Sequence, residues 1–299
     1  MKTYLGTLLA PISWGTTYVT ITEFLPDDRP LTVAALRVLP AGLLLVGIGL
    51  ARSGWRPRGH EWVRHGLIAL FNFGLFFPLL VVATYRLPGG VVGAAGGLQP
   101  LLVAALTYAL FRGRPSRRQV ATGVIAAIGV GMVMLRPGVE VDAIGVGATV
   151  VATLSFAVAI VLTKHFPPAR DRIAATGWQL LLSSLLLIPI AVIAEGTPPT
   201  LGPSELAAFA YLSLATTGIA FVLWFTGIER LPTPAPPLLG LAAPLTGAAV
   251  GWVALGQSLS LIQILGFGLT ITAITLGVRP HRALVDHLQP TGPGTRLAA

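Results

Sequence analysis

The sequence lacks cysteine and is poor in charged residues. Because none of its 299 residues is cysteine, the chain has no disulfide bond, no thiol nucleophile and no cysteine-ligated metal. Charged residues make up only 10% of the chain and hydrophobic residues 54%, whereas a soluble domain carries about 25% charged residues. The composition therefore excludes a soluble globular protein and indicates a protein embedded in a lipid bilayer.

The motifs of ATP-driven transport and of catalysis are also missing. The only lysines are Lys2 and Lys164, and neither ends a glycine-rich phosphate loop of the form GxxxxGK[ST]. The chain has no HExxH pair for a metal ion and no paired carboxylates within its apolar runs. All five histidines fall in or beside predicted loops or in the C-terminal tail. The sequence therefore predicts a protein that is not an enzyme and that holds no metal and no cofactor.

Long apolar runs dominate what is present. Crossing about 30 Å of hydrocarbon takes about 20 helical residues, and such continuous apolar segments span a bilayer as helices. We count ten runs, at residues 4–23, 31–51, 65–84, 88–111, 118–136, 143–164, 173–194, 205–228, 232–253 and 260–278. The predicted fold is an all-α integral membrane protein with ten transmembrane helices, followed by a disordered cytoplasmic tail at 280–299.

The basic residues set the orientation, because lysine and arginine stay in cytoplasmic loops. With the N-terminus inside, only Arg29, Arg86 and Arg136 of the 20 lysines and arginines fall in outer loops, and Arg37 lies within a run. We therefore predict that both termini are cytoplasmic. The net charge of +9 is spread over the inner loops and does not form the single basic patch that is typical of a nucleic-acid-binding surface. No nucleic-acid partner is therefore predicted.

One segment of the chain occurs twice. The residues Arg86–Gln119 align without a gap on Arg230–Gln263 at a shift of 144 positions, with ten of 34 residues identical. The identities include the opening Arg-Leu-Pro triplet and the pair Pro100 and Pro244. Matching prolines and a matching triplet do not follow from apolar composition alone. A duplication is therefore the better explanation.

The duplication predicts two inverted repeats, one at 1–137 and one at 138–279. Each repeat has five runs, and an odd number inserts the second repeat upside down relative to the first. The loop at 112–118 carries four arginines, whereas its repeat partner at 256–262 carries none. Inverted repeats are a common plan of secondary transporters, whose substrate site lies near the midplane between the halves.

Several short motifs follow one another in a characteristic order over about residues 3–278. They are Trp14-Gly15, Ala35-Leu36-Arg37, Pro100, Ser155-Phe156-Ala157, Trp178-Gln179, Leu223-Trp224-Phe225, Arg230-Leu231-Pro232, Pro244 and Leu255-Gly256. Together they resemble the ten-helix EamA-type exporters of the drug/metabolite transporter superfamily. The resemblance implies export of amino acids or similar small metabolites across a bacterial inner membrane, through a central cavity. The family usually has Gly-Glu after the fourth and ninth helices; here the glutamate positions hold Gly113 and Gln257, so no role of that charge is carried over.

Polar and aromatic side chains at mid-depth are the candidates for the cavity wall. The predicted substrate-binding residues are Trp14, Tyr18, Arg37, Asn72, Phe76, Gln99, Trp178 and Gln179. Asparagine and glutamine hydrogen-bond an ammonium or a carboxylate, and the rings supply apolar area and cation–π attraction. The alternative for the amides is hydrogen bonding between helices. Arg37, the one ionisable group well inside a run, either binds a substrate carboxylate or caps carbonyls or reaches toward an interface.

Prolines and glycines at repeat-related places predict bend points. The candidate hinges are Pro78, Pro100, Pro244, Gly96 and Gly240, because proline breaks the backbone hydrogen-bond ladder of a helix. Bends there would let the two halves rock alternately; static packing is the alternative. Proton-coupled carriers relay protons through Asp, Glu or His within the membrane. Since Glu23 is the one acidic residue noted near a run, facilitative transport is favoured over proton coupling.

The sequence thus predicts a facilitative secondary transporter that exports neutral amino acids or related small metabolites by alternating access. One alternative is a proton-coupled exporter of drugs or other amphipathic metabolites. Ion channels and membrane scaffolds are alternatives of other classes, although no ring of charges or carbonyl filter for a channel is evident. The expected partners are a small-molecule substrate and the lipid bilayer, and the sequence leaves monomer and homodimer both open.

Overall fold

The computed structural model describes residues 1–87, 89–134, 142–254 and 260–278. These residues contain helices and connecting turns but no strand, which confirms the all-helical class. The α-helices are α1 (Lys2–Gly15), α2 (Thr17–Phe24), α3 (Pro30–Ser53), α4 (Glu61–Ala69), α5 (Phe76–Arg86), α6 (Gly89–Gly96), α7 (Gln99–Phe111), α8 (Arg117–Met134), α9 (Ala143–His165), α10 (Arg172–Glu195), α11 (Pro203–Ala210), α12 (Ala220–Arg230), α13 (Ala235–Gly240), α14 (Ala242–Ala254) and α15 (Leu261–Val278). The predicted repeat boundary at 137 and the predicted tail lie outside the described residues.

Seven helical segments of the described chain are long and apolar enough to cross a membrane. They are Pro30–Ser53, Glu61–Arg86, Ala143–His165, Arg172–Glu195, Pro203–Arg230, Ala235–Val253 and Leu261–Val278. The first, fourth and fifth predicted runs correspond instead to α1 with α2, α6 with α7, and α8. The count of ten transmembrane helices stays a prediction.

Two helix interruptions occur at equivalent positions of the repeated segment. Helix α6 ends at Gly96 before α7, and α13 ends at Gly240 before α14. The local chemistry explains both, because proline cannot donate a hydrogen bond to the carbonyl four residues earlier. Pro100 leaves the carbonyl of Gly96 without that bond, and Pro244 does the same to Gly240. The α-helix is therefore interrupted at Gly96 and Gly240, two of the predicted bend points.

Two π-helical segments form a second related pair. Leu70–Leu75 lies between α4 and α5, and Tyr211–Ile219 lies between α11 and α12. At the shift of 144 positions the first segment falls within the second. Pro78 follows the first π-helical segment and lies four residues after Gly74, which repeats the glycine–proline spacing of the other bends. Turns of π-helix inside α-helices frequently mark functional sites.

Glycines allow close helix contacts between the two parts of the chain, which are residues 1–134 and residues 142–278. Helix α3 packs along α10, and α8 packs along α15. A Cβ atom added at Gly177 of α10 would lie 2.6 Å from the backbone nitrogen of Val46, and one at Gly49 would lie 2.4 Å from the Cβ atom of Ala174. Such separations are too short for a side chain. Small residues therefore set the distance between these helices, as is typical within membranes.

Further contacts between helices enclose an aromatic core. Helix α1 packs against α12 and α14, α5 against α9, and α6 against α14. The buried rings of this core are Phe73, Phe77, Phe156, Phe221, Trp224 and Phe225. Because these rings come from sequence segments far apart, the space beside them is walled by helices from both parts of the chain.

Candidate substrate cavity

A cavity of about 100 Å³ lies beside this aromatic core. A cavity needs roughly 10–15 Å³ to hold one water molecule, so this cavity is large enough to admit a small molecule. Its lining residues are Trp14, Thr17, Tyr18, Arg37, Phe76, Phe77, Leu80, Val92, Gly93, Gly96, Gln99, Thr149, Ala152, Thr153, Phe156, Phe221, Trp224, Gly240, Ala243 and Pro244. They come from helices on either side of residues 135–141.

An aromatic wall forms one side of the cavity, and Trp14 is its centre. The centroid of the Trp14 ring lies 4.9 Å from that of Phe221, 5.0 Å from that of Trp224 and 5.7 Å from that of Phe156. Trp14 Nε1 donates to the backbone carbonyl of Thr216 at 2.9 Å. The neighbouring Gly15 has no side chain and packs tightly against α14, which brings Trp14 close to the cavity.

Arg37 supplies the one charged side chain among the described residues that line the cavity. Its side chain is 2% exposed, and its guanidinium carbon lies 4.1 Å from the centroid of the Phe77 ring. The Nε atom donates to the Thr217 hydroxyl at 2.7 Å, and Nη2 donates to the Thr216 hydroxyl at 3.1 Å. Both threonines belong to the π-helical segment Tyr211–Ile219. Neutral hydroxyls therefore orient Arg37, and no described carboxylate forms an ion pair with it.

Several buried polar atoms of the lining residues have no hydrogen-bond partner in the described part of the chain. They are Thr17 Oγ1, Arg37 Nη1, Gln99 Nε2 and Trp224 Nε1. Leaving a buried donor or acceptor unsatisfied costs about 1–3 kcal/mol, and more for a charged group. Three of the four atoms are donors that cannot accept. The cavity therefore matches a ligand that brings hydrogen-bond acceptors.

The structure brings together part of the predicted site. Five of the eight predicted substrate-binding residues line the cavity, namely Trp14, Tyr18, Arg37, Phe76 and Gln99. The predicted hinge residues Gly96, Gly240 and Pro244 line it as well, whereas Pro100 lines a separate, smaller pocket. Asn72 is 1% exposed in the first π-helical segment and does not line the cavity.

The predicted pair Trp178 and Gln179 lies elsewhere. The ring of Trp178 packs against that of Trp62, with the ring centroids 5.3 Å apart. Gln179 Nε2 lies 2.9 Å from His65 Nδ1 and lines a separate pocket of about 50 Å³. The pair directly follows Gly177, where α10 packs closely against α3. This packing sets the direction in which the two side chains point.

A family comparison decides the kind of protein. The model of the EamA-like transporter family matches residues 1–135 and again residues 143–279. The chain belongs to the EamA-like transporter family. It is therefore a multi-pass membrane protein of a bacterial transporter family, and the predicted resemblance is confirmed.

Individual relatives agree with this membership. The chain is 36% identical over 270 residues to Protein PecM of Dickeya dadantii (strain 3937), covering 89% of each chain. It is 25% identical to a "Probable amino-acid metabolite efflux pump" of Salmonella typhimurium (strain LT2), covering 91% of this chain and 93% of that one. One solved crystal structure is 22% identical, has a TM-score of 0.76 and covers 96% of this chain and 99% of its own, which shows a shared fold. Family and relatives' names indicate a transporter with a small-molecule substrate rather than an enzyme.

This EamA-like transporter also has a charged cluster that is not among the residues predicted from the sequence. Arg172, at the start of α10, forms an ion pair with Glu229, near the end of α12, and both side chains are 13% exposed. Glu229 Oε1 also accepts from the backbone nitrogen of Ala169 at 3.1 Å. Lys164 Nζ donates to the carbonyl of Leu231 at 2.7 Å and to that of Glu229 at 3.2 Å. The cluster therefore ties the ends of α9, α10 and α12 together.

The sequence carries one signal for this cluster. Glu229 directly precedes the Arg-Leu-Pro triplet of the second repeat, where the first repeat has Tyr85. Glu23, the acidic residue near the first predicted run, is exposed, and among the described side chains it accepts one long hydrogen bond of 3.4 Å, from the Thr22 hydroxyl. Glu229, unlike Glu23, therefore connects the ends of helices.

Proposed function

We propose that the protein exports neutral amino acids or related small metabolites across a bacterial inner membrane by facilitative alternating access. The cavity between helices from both parts of the chain carries this proposal. Its volume suits a small metabolite, its walls are mostly apolar and aromatic, and it has unsatisfied donors for a polar end. Two relatives carry the name probable amino-acid metabolite efflux pump, which supports the choice of substrate.

Alternating access follows from two inverted repeats of five helices. With both termini in the cytoplasm, the cavity lining belongs mainly to the outer halves of the helices, and the Arg172–Glu229 cluster lies on the inner side. The conformation is then closed toward the cytoplasm. Opening the inner side requires the cluster to separate, and the interruptions at Gly96 and Gly240 provide places for the helices to bend.

The chemistry of the lining supports facilitative transport over proton coupling. No Asp, Glu or His occurs among the described residues that line the cavity, although proton-coupled carriers use such side chains as relays. Arginine does not release its proton in proteins. The driving force is therefore the gradient of the substrate itself.

Purified protein in liposomes tests the proposal. We expect saturable uptake of labelled leucine or a similar amino acid, with the same initial rate in the presence and absence of an imposed pH gradient. Protein-free liposomes are the control for leakage. Uptake that requires the gradient would contradict facilitative transport, and a Glu23→Gln variant would then locate the coupling. No saturable uptake of any amino acid in the panel would contradict the substrate class.

A further inference from the structure

The charge of Arg37 is buried without a counter-ion in the described part of the chain. The ion pairs there are Arg86 with Asp142 and Arg172 with Glu229, and neither includes Arg37. A buried charge is strongly unfavourable unless it is paired and hydrogen-bonded. The two threonine hydroxyls satisfy Nε and Nη2, so Nη1 remains for a ligand. An anionic ligand would supply both the missing acceptor and the missing charge.

The hydrogen bonds of Arg37 hold its guanidinium in one orientation. Thr217 and Thr216 fix two of its nitrogens, and the ring of Phe77 lies against its face. A guanidinium held in this way is suited to a planar carboxylate, with which it forms charge-assisted hydrogen bonds. The unpartnered Gln99 Nε2 and Trp224 Nε1 atoms of the lining add further donors. These features favour a carboxylate over a neutral acceptor.

The same cavity offers nothing comparable to a ligand ammonium group. The lining residues that the structure describes include no carboxylate, and Arg37 is the one charged side chain among them. A positive charge in a region of low dielectric repels a second positive charge as strongly as it attracts a negative one. The aromatic faces attract a cation only weakly, by about 0.5–1 kcal/mol at exposed sites and about 2 when desolvated. The attraction and the repulsion therefore oppose each other for an ammonium.

We infer that the cavity recognises small apolar monocarboxylates through Arg37, and that a ligand's amino group contributes nothing to its affinity. This inference rests on the proposed function, since it concerns the site through which substrates would pass. It narrows the substrate class to compounds with one carboxylate and an apolar body that packs against the Trp14 wall. Neutral amino acids are one kind of such compound, and their des-amino counterparts are another.

A matched series of ligands tests the inference on the full-length wild-type protein in detergent. The series is leucine, leucinamide, which lacks the carboxylate, and 4-methylpentanoate, which lacks the amino group. Binding is followed by tryptophan fluorescence, because Trp14 and Trp224 line the cavity. We expect 4-methylpentanoate to bind at least as tightly as leucine, and leucinamide roughly ten- to a hundredfold more weakly, as the loss of a charged hydrogen bond implies. Equal affinity of leucine and leucinamide would overturn the inference, as would a tenfold loss for 4-methylpentanoate or no binding of any of the three.

Variants then assign the effect to Arg37. In Arg37→Gln the preference for leucine over leucinamide should disappear, whereas in Thr217→Val, which keeps the charge but removes one fixing bond, it should fall partway. The matched control is Arg86→Gln, because Arg86 is in an exposed ion pair away from the cavity, and its preference should equal that of wild type. A preference that persists in a folded Arg37→Gln protein would overturn the inference. If Arg37→Gln does not fold, the wild-type series and Thr217→Val decide.

Transport separates this inference from the proposed function. The same three ligands are tested as competitors of labelled leucine uptake in liposomes. If leucine is transported but leucinamide competes equally, the inference fails and the proposed function stands. If the carboxylates bind selectively but nothing is transported, the proposed function fails while the inference on the binding site holds.

Discussion

Replacing Arg172 with glutamine is expected to reduce the initial rate of leucine uptake by at least about tenfold. The change leaves Glu229 without its ion-pair partner in a largely buried cluster. Removing one partner of a buried ion pair costs about 3–5 kcal/mol, and each 1.4 kcal/mol is a factor of about ten in an equilibrium. If this cost falls on the inner-closed state, its population falls by roughly two to three orders of magnitude. A carrier that seldom closes on the inner side cannot complete its cycle.

The control for this variant is the same substitution at Arg86. Arg86 also pairs with an acidic residue, Asp142, but the two side chains are 44% and 38% exposed. Exposed ion pairs contribute about 0–1 kcal/mol, so Arg86→Gln should transport like wild type. Uptake rates are compared at equal amounts of reconstituted protein. Unchanged uptake in Arg172→Gln would show that the cluster takes no part in closing the inner side.

Replacing Trp14 with alanine is expected to reduce transport by at least about tenfold without a comparable loss of folded protein. The change removes the ring that contacts Phe156, Phe221 and Trp224. Because Trp14 is only partly buried, the loss of folding stability should be smaller than the about 3–5 kcal/mol that truncation of a fully buried tryptophan costs. It also removes the donor to the carbonyl of Thr216, whose hydroxyl holds Arg37. The variant should therefore lose part of the aromatic wall and hold the Arg37 guanidinium less firmly in its orientation.

The matched comparison is Trp178→Ala, which tests the sequence prediction against the geometry. Trp178 lies against Trp62 outside the cavity, so its truncation should leave the apparent affinity for leucine unchanged. Trp14→Phe keeps an aromatic ring without the indole donor and should fall between wild type and Trp14→Ala. Concentration dependence of uptake gives the affinities, and size-exclusion profiles give the folded fraction. Equal losses of affinity in Trp14→Ala and Trp178→Ala would remove the basis for placing the substrate beside Trp14.

Local chemistry explains what the sequence made predictable. The apolar runs specify helices, and proline four residues after glycine specifies where a helix is interrupted, as at Gly96 and Gly240. Trp14 and Tyr18 were predictable as a pair because they lie one helical turn apart. Helix composition also limits the choice of charged cavity residues to Arg37, since few charges occur within the runs.

Tertiary packing decides the rest. The face that α10 turns toward the cavity depends on how Gly177 meets α3, which no pattern within α10 reveals, so Trp178 and Gln179 were assigned to the cavity from depth alone. The partner of Arg172 is 57 residues away in the sequence, at Glu229. Nothing in the sequence distinguishes Thr216 and Thr217 from other threonines of apolar helices. In the structure, the π-helical segment brings both hydroxyls to the guanidinium of Arg37.

The most direct test of the account is the accessibility of the cavity from each side of the membrane. Because the chain has no cysteine, a single Ala152→Cys change on α9 places one thiol in the cavity lining. A membrane-impermeant thiol reagent is applied to right-side-out and inside-out vesicles, with and without leucine on the cytoplasmic side. The account predicts labelling from the outer side at rest and labelling from the cytoplasmic side during transport. Labelling from one side only, under every condition, would contradict alternating access through this cavity.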